Sequence, residues 1–547
     1  MNTPNQDQQF SRLDSAFAGF LTQRTSLTAS QKTKLEALLS KLSYQQSQGH
    51  SCVQITEPEQ QLISASGLIS KNEASPLKLE HNRLYLHRYW FYENRLAEQI
   101  KALLPPLQQN NESSSLINRY FIELIDEIDW QREAAIKAMS QSFTIITGGP
   151  GTGKTTTVVK ILALLQEQAS MTDHPLHIAL AAPTGKAAMR LQESIGFSKS
   201  ALPCSEKIKQ LIPESVTTLH RLLGANPPSP YFIHDAKQPL VYDLVVIDEA
   251  SMIDLALMSK LVDALKPNSK LILLGDKDQL ASVETGSVLA DLTAALPFNT
   301  VELQKSHRFQ GAIKDLAIAV NKQASDEAWA LLKGTGQQIS LLTDNLIDYT
   351  AEQYAPYLSK VRNNADFTEI YTAFSQFQVL CSNRRGEQGV VEINLQLEAK
   401  LQQQNKIHLS GQWYIGRPVM VTQNNPSMQL YNGDIGICLF DKEMSRLTVY
   451  FLTADGSIKK VLPSRMPEHE TVFAMTIHKS QGSEFDECLC VLPLVINPIL
   501  TKELIYTAIT RAKTKLKIAS NYTIFNQALQ RRVQRTSGLF ERLAGES

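Results

Sequence analysis

The sequence feature that most constrains the fold is a glycine-rich loop at residues 148–155, GGPGTGKT. Apolar, strand-like residues precede it at 143–146, and an apolar helical pattern, TVVKILALLQEQ, follows it. The spacing matches the Walker A motif, in which backbone N–H groups of the turn and the helix N-terminus surround a phosphate. We therefore predict a strand–loop–helix unit that binds a nucleoside triphosphate.

Individual side chains around this loop have expected roles. Lys154 should reach the β and γ phosphates, and Thr155 should ligate Mg²⁺. Gln131, shortly before the loop, can hydrogen-bond an adenine edge, although a solvated helix residue is the simpler interpretation of a lone glutamine. The residues expected to bind the nucleotide are Gln131, Gly148, Gly149, Pro150, Gly151, Thr152, Gly153, Lys154, Thr155 and Thr156.

Length, charge and cysteine content limit the kinds of protein and binding site that this chain can form. The 547 residues are enough for about three or four domains. Since 54 basic residues balance 54 acidic ones, a nucleic-acid site would have to be a local groove. Six cysteines without a CxxC pair indicate neither a zinc site nor a disulfide framework, and they favour a reducing cytosol. We expect no signal peptide and no membrane span, because the N-terminus is polar and the longest apolar run is short.

Polar residues follow the later strands of the predicted parallel sheet. The strand LVVI ends at Asp248 and Glu249, a Walker B arrangement in which Asp248 holds Mg²⁺ through water and Glu249 polarises the attacking water. Gln279 lies just past the next strand, KLILLG, where ligands gather in an open α/β sheet, and can sense the γ phosphate. Arg308 and Arg511 are candidates for stabilising charge on the transferred phosphoryl group.

A turn late in the chain is suited to sugar and phosphate contacts. Thr476, His478 and Ser480 cluster after a strand, and their hydroxyl and imidazole groups can contact a nucleic-acid backbone without reading bases. Glu484, in the same motif, could meet a ribose hydroxyl. This turn is therefore a candidate nucleic-acid contact.

Two further regions carry no catalytic motif. Residues 13–104 predict short helices, and their cluster LYLHRYWFY at 84–92 is either a local core or a docking surface for another protein. A polar, proline-containing linker follows at 105–115. Between about 409 and 467, short strands and an Asn-Gly turn predict a small all-β insert, either a structural element or a wall beside a nucleic-acid strand.

Taken in order, these motifs resemble those of superfamily 1 helicases. They extend from about residue 131 to residue 519 and comprise GGPGTGKT, PTGKAA, TTLH, DEAS, GDKDQL, Arg308, TIHKSQGSEF and YTAITRAK. Within that superfamily the chain is similar to the RecD family, whose members move 5′ to 3′ on single-stranded DNA. The stretches WQREAAIKAM, VVIDEASMIDLALMSKLVDAL and LYLHRYWFYE carry this closer similarity.

The resemblance implies a fold class and a division of the chain. The expected fold is α/β, with two RecA-like P-loop NTPase domains, a small all-β (SH3-like) insert in the second and a small helical N-terminal domain. The expected domains are a helical partner-docking domain at 1–110, a first motor domain at 116–335 and a second motor domain at 336–547, with the insert at about 409–467.

The resemblance also implies an activity and its residues. We expect an ATP-dependent 5′–3′ DNA helicase, without a nuclease centre of its own, in a RecBCD-type helicase–nuclease (exodeoxyribonuclease V). Such an enzyme processes double-strand ends for recombinational repair and degrades foreign linear DNA. The implied catalytic residues are Lys154, Asp248, Glu249, Gln279, Arg308 and Arg511, with Thr155 and Asp248 at the metal. The implied DNA contacts are Pro183, Thr184, Thr218, His220, Thr476, His478 and Ser480.

Cofactors, partners and location follow from the same resemblance. ATP and Mg²⁺ are the expected cofactors, and RecB-like and RecC-like subunits are the expected partners in a heterotrimer on single-stranded DNA and duplex ends. The N-terminal domain should dock on the RecC-like subunit, with no membrane involved, in the bacterial cytoplasm. Two alternatives stay open: a stand-alone RecD-like helicase, and a structural subunit with an incidental ATPase. The short region ahead of the Walker loop favours the complex-bound subunit.

Overall fold

The computed structural model describes residues 10–70, 75–104, 113–121, 128–226, 228–305, 311–334, 336–453 and 456–545. In these ranges the chain forms two parallel sheets, one five-stranded antiparallel sheet and one small three-stranded sheet. Helices cover the parallel sheets, which confirms the predicted α/β class. No helix among the described residues is both long enough and apolar enough to cross a membrane.

The N-terminal unit combines helices with a small antiparallel sheet, of order β1-β3-β2. Its elements are α1 (Arg12–Thr22), α2 (Ala29–Ser47), β1 (Cys52–Gln54), α3 (Glu57–Ala65), β2 (Leu77–Glu80), β3 (Arg83–Leu86) and α4 (His87–Leu103). The sequence predicted helices alone. The missed hairpin turns at His81 and Asn82, whose φ angles of 44° and 62° are those of a two-residue primed turn.

The first parallel sheet has the order β6-β5-β7-β8-β4-β9. Its strands are β4 (Phe143–Thr147), β5 (Ile178–Ala182), β6 (Thr217–Thr218), β7 (Leu244–Ile247), β8 (Lys270–Gly275) and β9 (Thr300–Glu302). Its helices are α5 (Ser113–Tyr120), α6 (Trp130–Ser140), α7 (Lys154–Ser170), α8 (Gly185–Ser200), α9 (Glu206–Leu211), α10 (Leu219–Leu222), α11 (Leu255–Asp263) and α12 (Val288–Ala295). Because β4, β5 and β7 are buried along their whole length, they are apolar runs rather than alternating patterns.

The second parallel sheet, with its antiparallel insert, follows. Its helices are α13 (Ala312–Asn321), α14 (Ser325–Lys333), α15 (Leu346–Gln353), α16 (Ala355–Arg362), α17 (Phe367–Ser375), α18 (Val390–Gln403), α19 (Lys502–Ile509) and α20 (Tyr522–Leu529). The last helix, α21 (Leu539–Ala544), packs on the first sheet instead. Its strands, with those of the insert, are β10 (Ile339–Leu341), β11 (Phe377–Cys381), β12 (Arg417–Val421), β13 (Ile435–Asp441), β14 (Arg446–Leu452), β15 (Ile458–Val461), β16 (His469–Thr471), β17 (Ala474–Thr476), β18 (Phe485–Val491) and β19 (Ala512–Ala519). The parallel order is β10-β19-β18-β11-β17.

Helices α13 and α14 belong to the core of this second sheet. Ile313, Leu316 and Trp329 pack with its strands and with α20. The domain boundary expected at residue 335 therefore falls after two helices that the structure groups with the second sheet. The cause is tertiary, because these helices are amphipathic and either sheet could cover their apolar faces.

The antiparallel sheet lies where the sequence predicts an all-β insert. Its order is β15-β14-β13-β12-β16, and its small core includes Val419, Cys438 and Phe451. Gly436 on β13 faces the Phe451 ring, and a Cβ there would lie 2.7 Å from ring carbons. A side chain at this position would displace the ring, so close packing explains the glycine.

The aromatic cluster around α4 is mostly interior. Leu84 and Tyr85 are fully buried and Tyr89 is 8% exposed, whereas Phe91 is 49% exposed. Tyr89 joins the core of the first parallel sheet, and α4 packs on α11. Most of the cluster thus attaches the N-terminal unit to the first sheet.

The C-terminal strap, residues 531–545, returns from the second sheet to the first. The Arg535 guanidinium donates to the carbonyls of Ser282 (2.6 Å) and Glu284 (2.7 Å), in the loop that follows β8. Leu539, on α21, enters the core shared by the first sheet and α4, and α21 also contacts α12. The strap therefore connects both sheets and the N-terminal unit.

A pH-sensitive carboxyl lies under the strap. Burial raises the pKa of Asp291 to about 7, although a hydrogen bond with Ser537 lowers it, and the Glu93 and Glu541 carboxylates raise it further. Between about pH 4 and pH 7 the folded state thus holds a proton that the unfolded state has lost, so stability falls as pH rises through this window. We expect Asp291→Asn to raise the unfolding temperature by a few °C at pH 8 and to have little effect at pH 5.

Differential scanning fluorimetry of both proteins at the two pH values measures this effect. Asp315→Asn, at an exposed carboxylate on α13, is the control. It should change the unfolding temperature by the same amount at pH 5 and at pH 8. If Asp291→Asn changed the unfolding temperature by the same amount at both pH values, the expectation would be contradicted.

Candidate active site

A cleft with a volume of ≈ 1040 Å³ lies between the two parallel sheets. The first sheet contributes the loop after β4 and the residues after β7 and β8, and the second contributes Gly482, Glu484, Arg511 and Lys513. The structure thus brings most of the predicted nucleotide residues to one place. Those lining the cleft are Gln131, Pro150, Gly151, Gly153, Lys154, Thr155, Thr156, Asp248, Glu249, Gln279 and Arg511. Arg308 lies outside the described residues.

The glycines of the Walker loop are explained by its geometry. Gly153, the N-cap of α7, has φ 83° and ψ 21°, a left-handed conformation that side chains disfavour. A Cβ on Gly148 would lie 2.8 Å from the Thr152 hydroxyl and 2.9 Å from the Leu303 carbonyl. The Thr152 hydroxyl itself donates to the Gly149 carbonyl over 2.8 Å. Gly148, Gly149 and Thr152 therefore shape the loop, whereas Pro150, Gly151 and residues 153–156 line the cleft.

Lys154 lies at the start of α7, where the helix dipole favours an anion. Its ammonium group donates to the carbonyls of Gly148 (2.6 Å) and Gly149 (3.1 Å). Thr155, the next residue, also faces the cleft. A cation, a hydroxyl and free helix N–H groups therefore converge there, and this donor set fits a triphosphate and its metal.

The acidic pair after β7 has an unusual backbone. Glu249 has φ 51° and ψ 40°, a left-handed conformation rarely adopted by residues other than glycine, asparagine and aspartate. Its N–H donates to Asp248 Oδ1 over 2.8 Å. Such strain costs about 1–3 kcal/mol and clusters at functional sites, because a precise side-chain direction is needed there. Here it directs the Glu249 side chain into the cleft.

The electrostatics of Asp248 reflect the crowding of the site. Burial and the neighbouring Glu249 carboxylate raise the pKa of Asp248 to about 6. The Glu249 N–H and the Lys154 and Arg190 cations act in the opposite direction. A cation bound between two neighbouring carboxylates reduces their electrostatic repulsion. The pair is therefore suited to a Mg²⁺ site.

Arg511 bridges the two sides of the cleft. It is 2% exposed, and it donates to the carbonyls of Thr507 and Ser483, each over 3.1 Å. Its third bond runs to the Gln279 side-chain oxygen on the first sheet, at 2.9 Å. Burial lowers the pKa of Arg511, whereas the Glu249 carboxylate raises it. This buried cation thus contacts Gln279 and is influenced by the charge of Glu249.

Arg190 is a cleft residue that the sequence prediction missed. Its guanidinium lies 2.7 Å from the Glu484 carboxylate of the second sheet, so the ion pair spans the cleft. One face of α8 lines the cleft through Arg190, Leu191, Glu193, Ser194 and Phe197. Their helical spacing is visible in the sequence, but a mixed polar face is typical of an ordinary surface helix. Lys513, two residues after Arg511 on β19, also lines the cleft and was also missed.

The predicted DNA contacts form two groups outside the cleft lining. Thr184 follows β5 and Thr218 ends the neighbouring strand β6, where it pairs with Ala182 of β5. Each threonine caps a helix, accepting from Ala187 N–H (3.2 Å) and Arg221 N–H (3.3 Å) respectively. Pro183 precedes the first of these caps, and both caps lie at the carboxyl edge of the sheet.

The remaining predicted contacts differ in exposure. The exposed His220 ring packs edge-on against Phe232, with centroids 5.7 Å apart. Thr476, at the end of β17, accepts from the Lys479 N–H over 3.3 Å, and His478 is half-buried. Ser480 is fully buried, and its hydroxyl donates to the Ile477 carbonyl over 2.7 Å, so in this conformation it stabilises the turn.

The two groups approach each other where the sheets meet. A Cβ placed on Gly482 would lie 3.5 Å from the Ala187 Cβ at the start of α8. The turn after β17 is therefore in contact with the helix that follows β5. A relative movement of the sheets would change the spacing of the two groups.

Two family models match parts of the chain. An AAA domain model matches residues 131–285, which contain the Walker loop, the acidic pair and Gln279. A UvrD-like helicase C-terminal domain model matches residues 471–519, which contain Thr476, Glu484 and Arg511.

Several relatives match most of the chain. The RecBCD enzyme subunit RecD of Mycolicibacterium smegmatis is 39% identical over 88% of this chain and 85% of that protein. The same subunit of Haemophilus influenzae is 36% identical over 86% and 81%. The ATP-dependent RecD2 DNA helicase of Deinococcus radiodurans is 31% identical over 84% of this chain and 58% of its own length.

Solved structures show a more distant likeness. Bacteroides Pif1 bound to ssDNA is 18% identical, and the match covers 73% of this chain and 94% of that one with a TM-score of 0.41.

Proposed function

The chain belongs to the family of RecBCD enzyme subunits named RecD, and on this basis we propose that it is an ATP-dependent DNA helicase acting as a subunit of a RecBCD-type enzyme. One structural observation carries the proposal. The cleft takes its Walker loop and acidic pair from one parallel sheet and Arg511 from the other. Hydrolysis in such a cleft requires the two sheets to be close together. Binding ATP and releasing its products can therefore change the relative position of the sheets.

In this proposal the residues of the first sheet bind ATP and activate water. The loop from Gly148 to Thr156 surrounds the phosphates, and Gln131 reads the adenine edge. Lys154 neutralises charge on the β and γ phosphates. Mg²⁺, held by Thr155 and Asp248, would supply a further positive charge against the phosphates. Glu249 orients the attacking water and accepts its proton.

Residues on both sides of the cleft sense the γ phosphate. Gln279 contributes an amide from the first sheet, and Arg511 contributes the cation from the second. Arg308 is proposed as a second cation. When ATP is present these groups draw the sheets together, and after hydrolysis the attraction weakens.

Closure and opening of the cleft would then move DNA. Pro183, Thr184, Thr218 and His220 belong to the first sheet, and Thr476, His478 and Ser480 to the second. Two groups that hold the backbone alternately, while their spacing changes, advance along a strand. Six of these residues are proposed as direct contacts, and Ser480 as a residue that holds the shape of its turn.

The proposed domains keep the expected boundaries, although two segments pack against the other motor domain. We assign residues 1–110 to a partner-docking domain and 116–335 and 336–547 to two RecA-like motor domains, with α13 and α14 packing on the second and the strap on the first. The antiparallel sheet at about 409–467 is proposed to be an SH3-like insert beside the DNA path.

The N-terminal unit is proposed to bind a RecC-like subunit within a trimer that also contains a RecB-like subunit. Leu13 and Phe20, seven residues apart on one face of α1, are 75% and 56% exposed. Exposed apolar side chains at this spacing are typical of a helix that docks on a partner. Such a trimer would act on duplex ends in the bacterial cytoplasm.

Unwinding of tailed duplexes tests the proposed activity. With the full chain, ATP and Mg²⁺, a duplex with only a 5′ single-stranded tail should be unwound, and one with only a 3′ tail should not. A single-stranded oligodeoxynucleotide should accelerate ATP hydrolysis. Absence of both effects, in the chain alone and in the assembled trimer, would refute the helicase.

The similarity to RecD2 supports one alternative function, that of a helicase that acts without partner subunits. Size-exclusion chromatography of cell lysate separates the two. Co-migration with two larger subunits supports the trimer, whereas an active monomer alone supports the free helicase.

A further inference from the structure

Tyr506, on α19, connects the second sheet to both nucleotide loops of the first. Its side chain is 5% exposed, and its hydroxyl donates to Asp276 Oδ2 over 3.1 Å. A Cβ placed on Gly149 would lie 3.0 Å from the same hydroxyl oxygen, so the tyrosine also touches the Walker loop. The roles assigned above use neither Tyr506 nor Asp276.

Asp276 links Tyr506 to Gln279, which lines the cleft. The carboxylate follows β8, is 2% exposed and accepts from the Gln279 side-chain amide over 3.0 Å, while its other oxygen accepts from the Asp278 N–H over 3.1 Å. Gln279 in turn accepts from Arg511 over 2.9 Å. Three hydrogen bonds therefore lead from Tyr506 to Arg511, and they cross between the sheets twice.

Burial fixes the direction of these bonds. It raises the pKa of Tyr506 well above its usual range, so the phenol stays protonated and donates to the carboxylate. Because Asp276 accepts from the Gln279 amide nitrogen, the amide oxygen is turned toward Arg511. If the carboxylate moved, Gln279 would be free to rotate, and Arg511 would lose its acceptor on the first sheet.

We propose that Tyr506 and Asp276 are positioning residues that hold Gln279 and Arg511 in the correct relation to the Walker loop when the cleft closes. The proposal rests on the proposed function, since these positions matter if the cleft hydrolyses ATP. A tyrosine that merely packed between the sheets would contribute to stability alone. A positioning role predicts a lower kcat when the hydroxyl is removed, whereas a packing role predicts lower stability without a change in kcat.

Tyr506→Phe in the full chain separates them, because it removes the hydroxyl and keeps the ring. With saturating oligodeoxynucleotide, kcat for ATP should fall about tenfold, the effect expected when a buried hydrogen bond that orients a catalytic group is lost. KM for ATP should change less than about twofold, because the hydroxyl positions residues at the γ phosphate and leaves the rest of the nucleotide site intact. Asp276→Asn should behave alike, and the double variant should be no worse than the poorer single one, since both act through one contact.

Tyr357→Phe is the matched control. Tyr357 is also buried, and its hydroxyl donates to the Gly416 carbonyl over 2.9 Å, away from the cleft lining. Tyr357→Phe should keep kcat within about twofold of the unmodified chain. It loses a similar buried hydrogen bond, but that bond does not lead to a residue of the cleft. Equal losses in Tyr506→Phe and Tyr357→Phe would overturn the proposal, as would an unchanged kcat or a change confined to KM. An unmodified chain that fails to hydrolyse ATP would instead refute the proposed function.

Discussion

Lys154→Gln is expected to reduce DNA-stimulated ATP hydrolysis about 10²–10³-fold, the loss typical when one preorganised group that stabilises transition-state charge is removed. The ammonium group lies on the Walker loop, 2.6 Å from the Gly148 carbonyl, and no other lysine of the loop can replace it. Glutamine is a shorter, polar but uncharged side chain, so the phosphates lose their nearest cation. Steady-state hydrolysis by the full chain, with and without oligodeoxynucleotide, measures the loss.

Lys160→Gln is the matched control for this variant. Lys160 lies on the same helix, α7, and its ammonium group faces the Phe121 ring, 5.1 Å from the centroid. The residue is not among those that line the cleft. The control should hydrolyse ATP within about twofold of the unmodified chain, as surface substitutions usually do. Comparable losses in both variants would mean that Lys154 acts through helix stability and not at the phosphates.

Arg511→Lys is expected to lower kcat about 10³-fold or more, the range found for arginines that stabilise phosphoryl transfer in other NTPases. The guanidinium donates to the Thr507 and Ser483 carbonyls, to the Gln279 side-chain oxygen and, over 3.4 Å, to the Thr510 hydroxyl. A lysine ammonium on a flexible stem cannot occupy the same planar fork, so the link to Gln279 across the cleft is lost. ATP binding, measured with a fluorescent analogue, should weaken far less than kcat falls, because the Walker loop stays intact.

Arg417→Lys controls for the removal of a buried arginine. Arg417, on β12 of the insert, is 8% exposed and donates to the Thr471 hydroxyl and the Gln412 carbonyl. It should destabilise the chain to a similar degree and leave kcat within about threefold, since Arg417 is not among the residues that line the cleft. If Arg511→Lys hydrolyses ATP as fast as this control, Arg511 is not the cation that completes the site.

Much of the fold follows from local sequence patterns. The Walker loop requires glycine at position 153, where φ is 83°, and the apolar runs of β4, β7 and β8 predict buried parallel strands. The predicted α/β class with parallel sheets is confirmed, and so is the family. The roles given to individual site residues stay predictions, although the structure brings most of the nucleotide set to one cleft.

Other features escaped prediction because their signals are weak or distant. The β2–β3 hairpin turns at His81 and Asn82, a pair with the correct geometry but without the glycine that usually marks such turns. The ion pair of Arg190 with Glu484 joins residues almost 300 positions apart, and nothing in either neighbourhood points to the other. The C-terminal strap is a similar case, since the apolar face of α21 could cover any sheet.

The sequence by itself determined which chemical groups are available: the phosphate loop, the acidic pair after β7, the strand-end glutamine and the late arginine. These are short-range patterns, in which neighbouring residues fix the backbone and the backbone fixes the direction of the side chains. Only the tertiary structure decided that Arg511, Glu484 and Tyr506 of the second sheet meet Gln279, Arg190 and Asp276 of the first. The physical reason is that contacts between the two sheets depend on how the sheets pack against each other, and that packing is encoded by the whole of both surfaces.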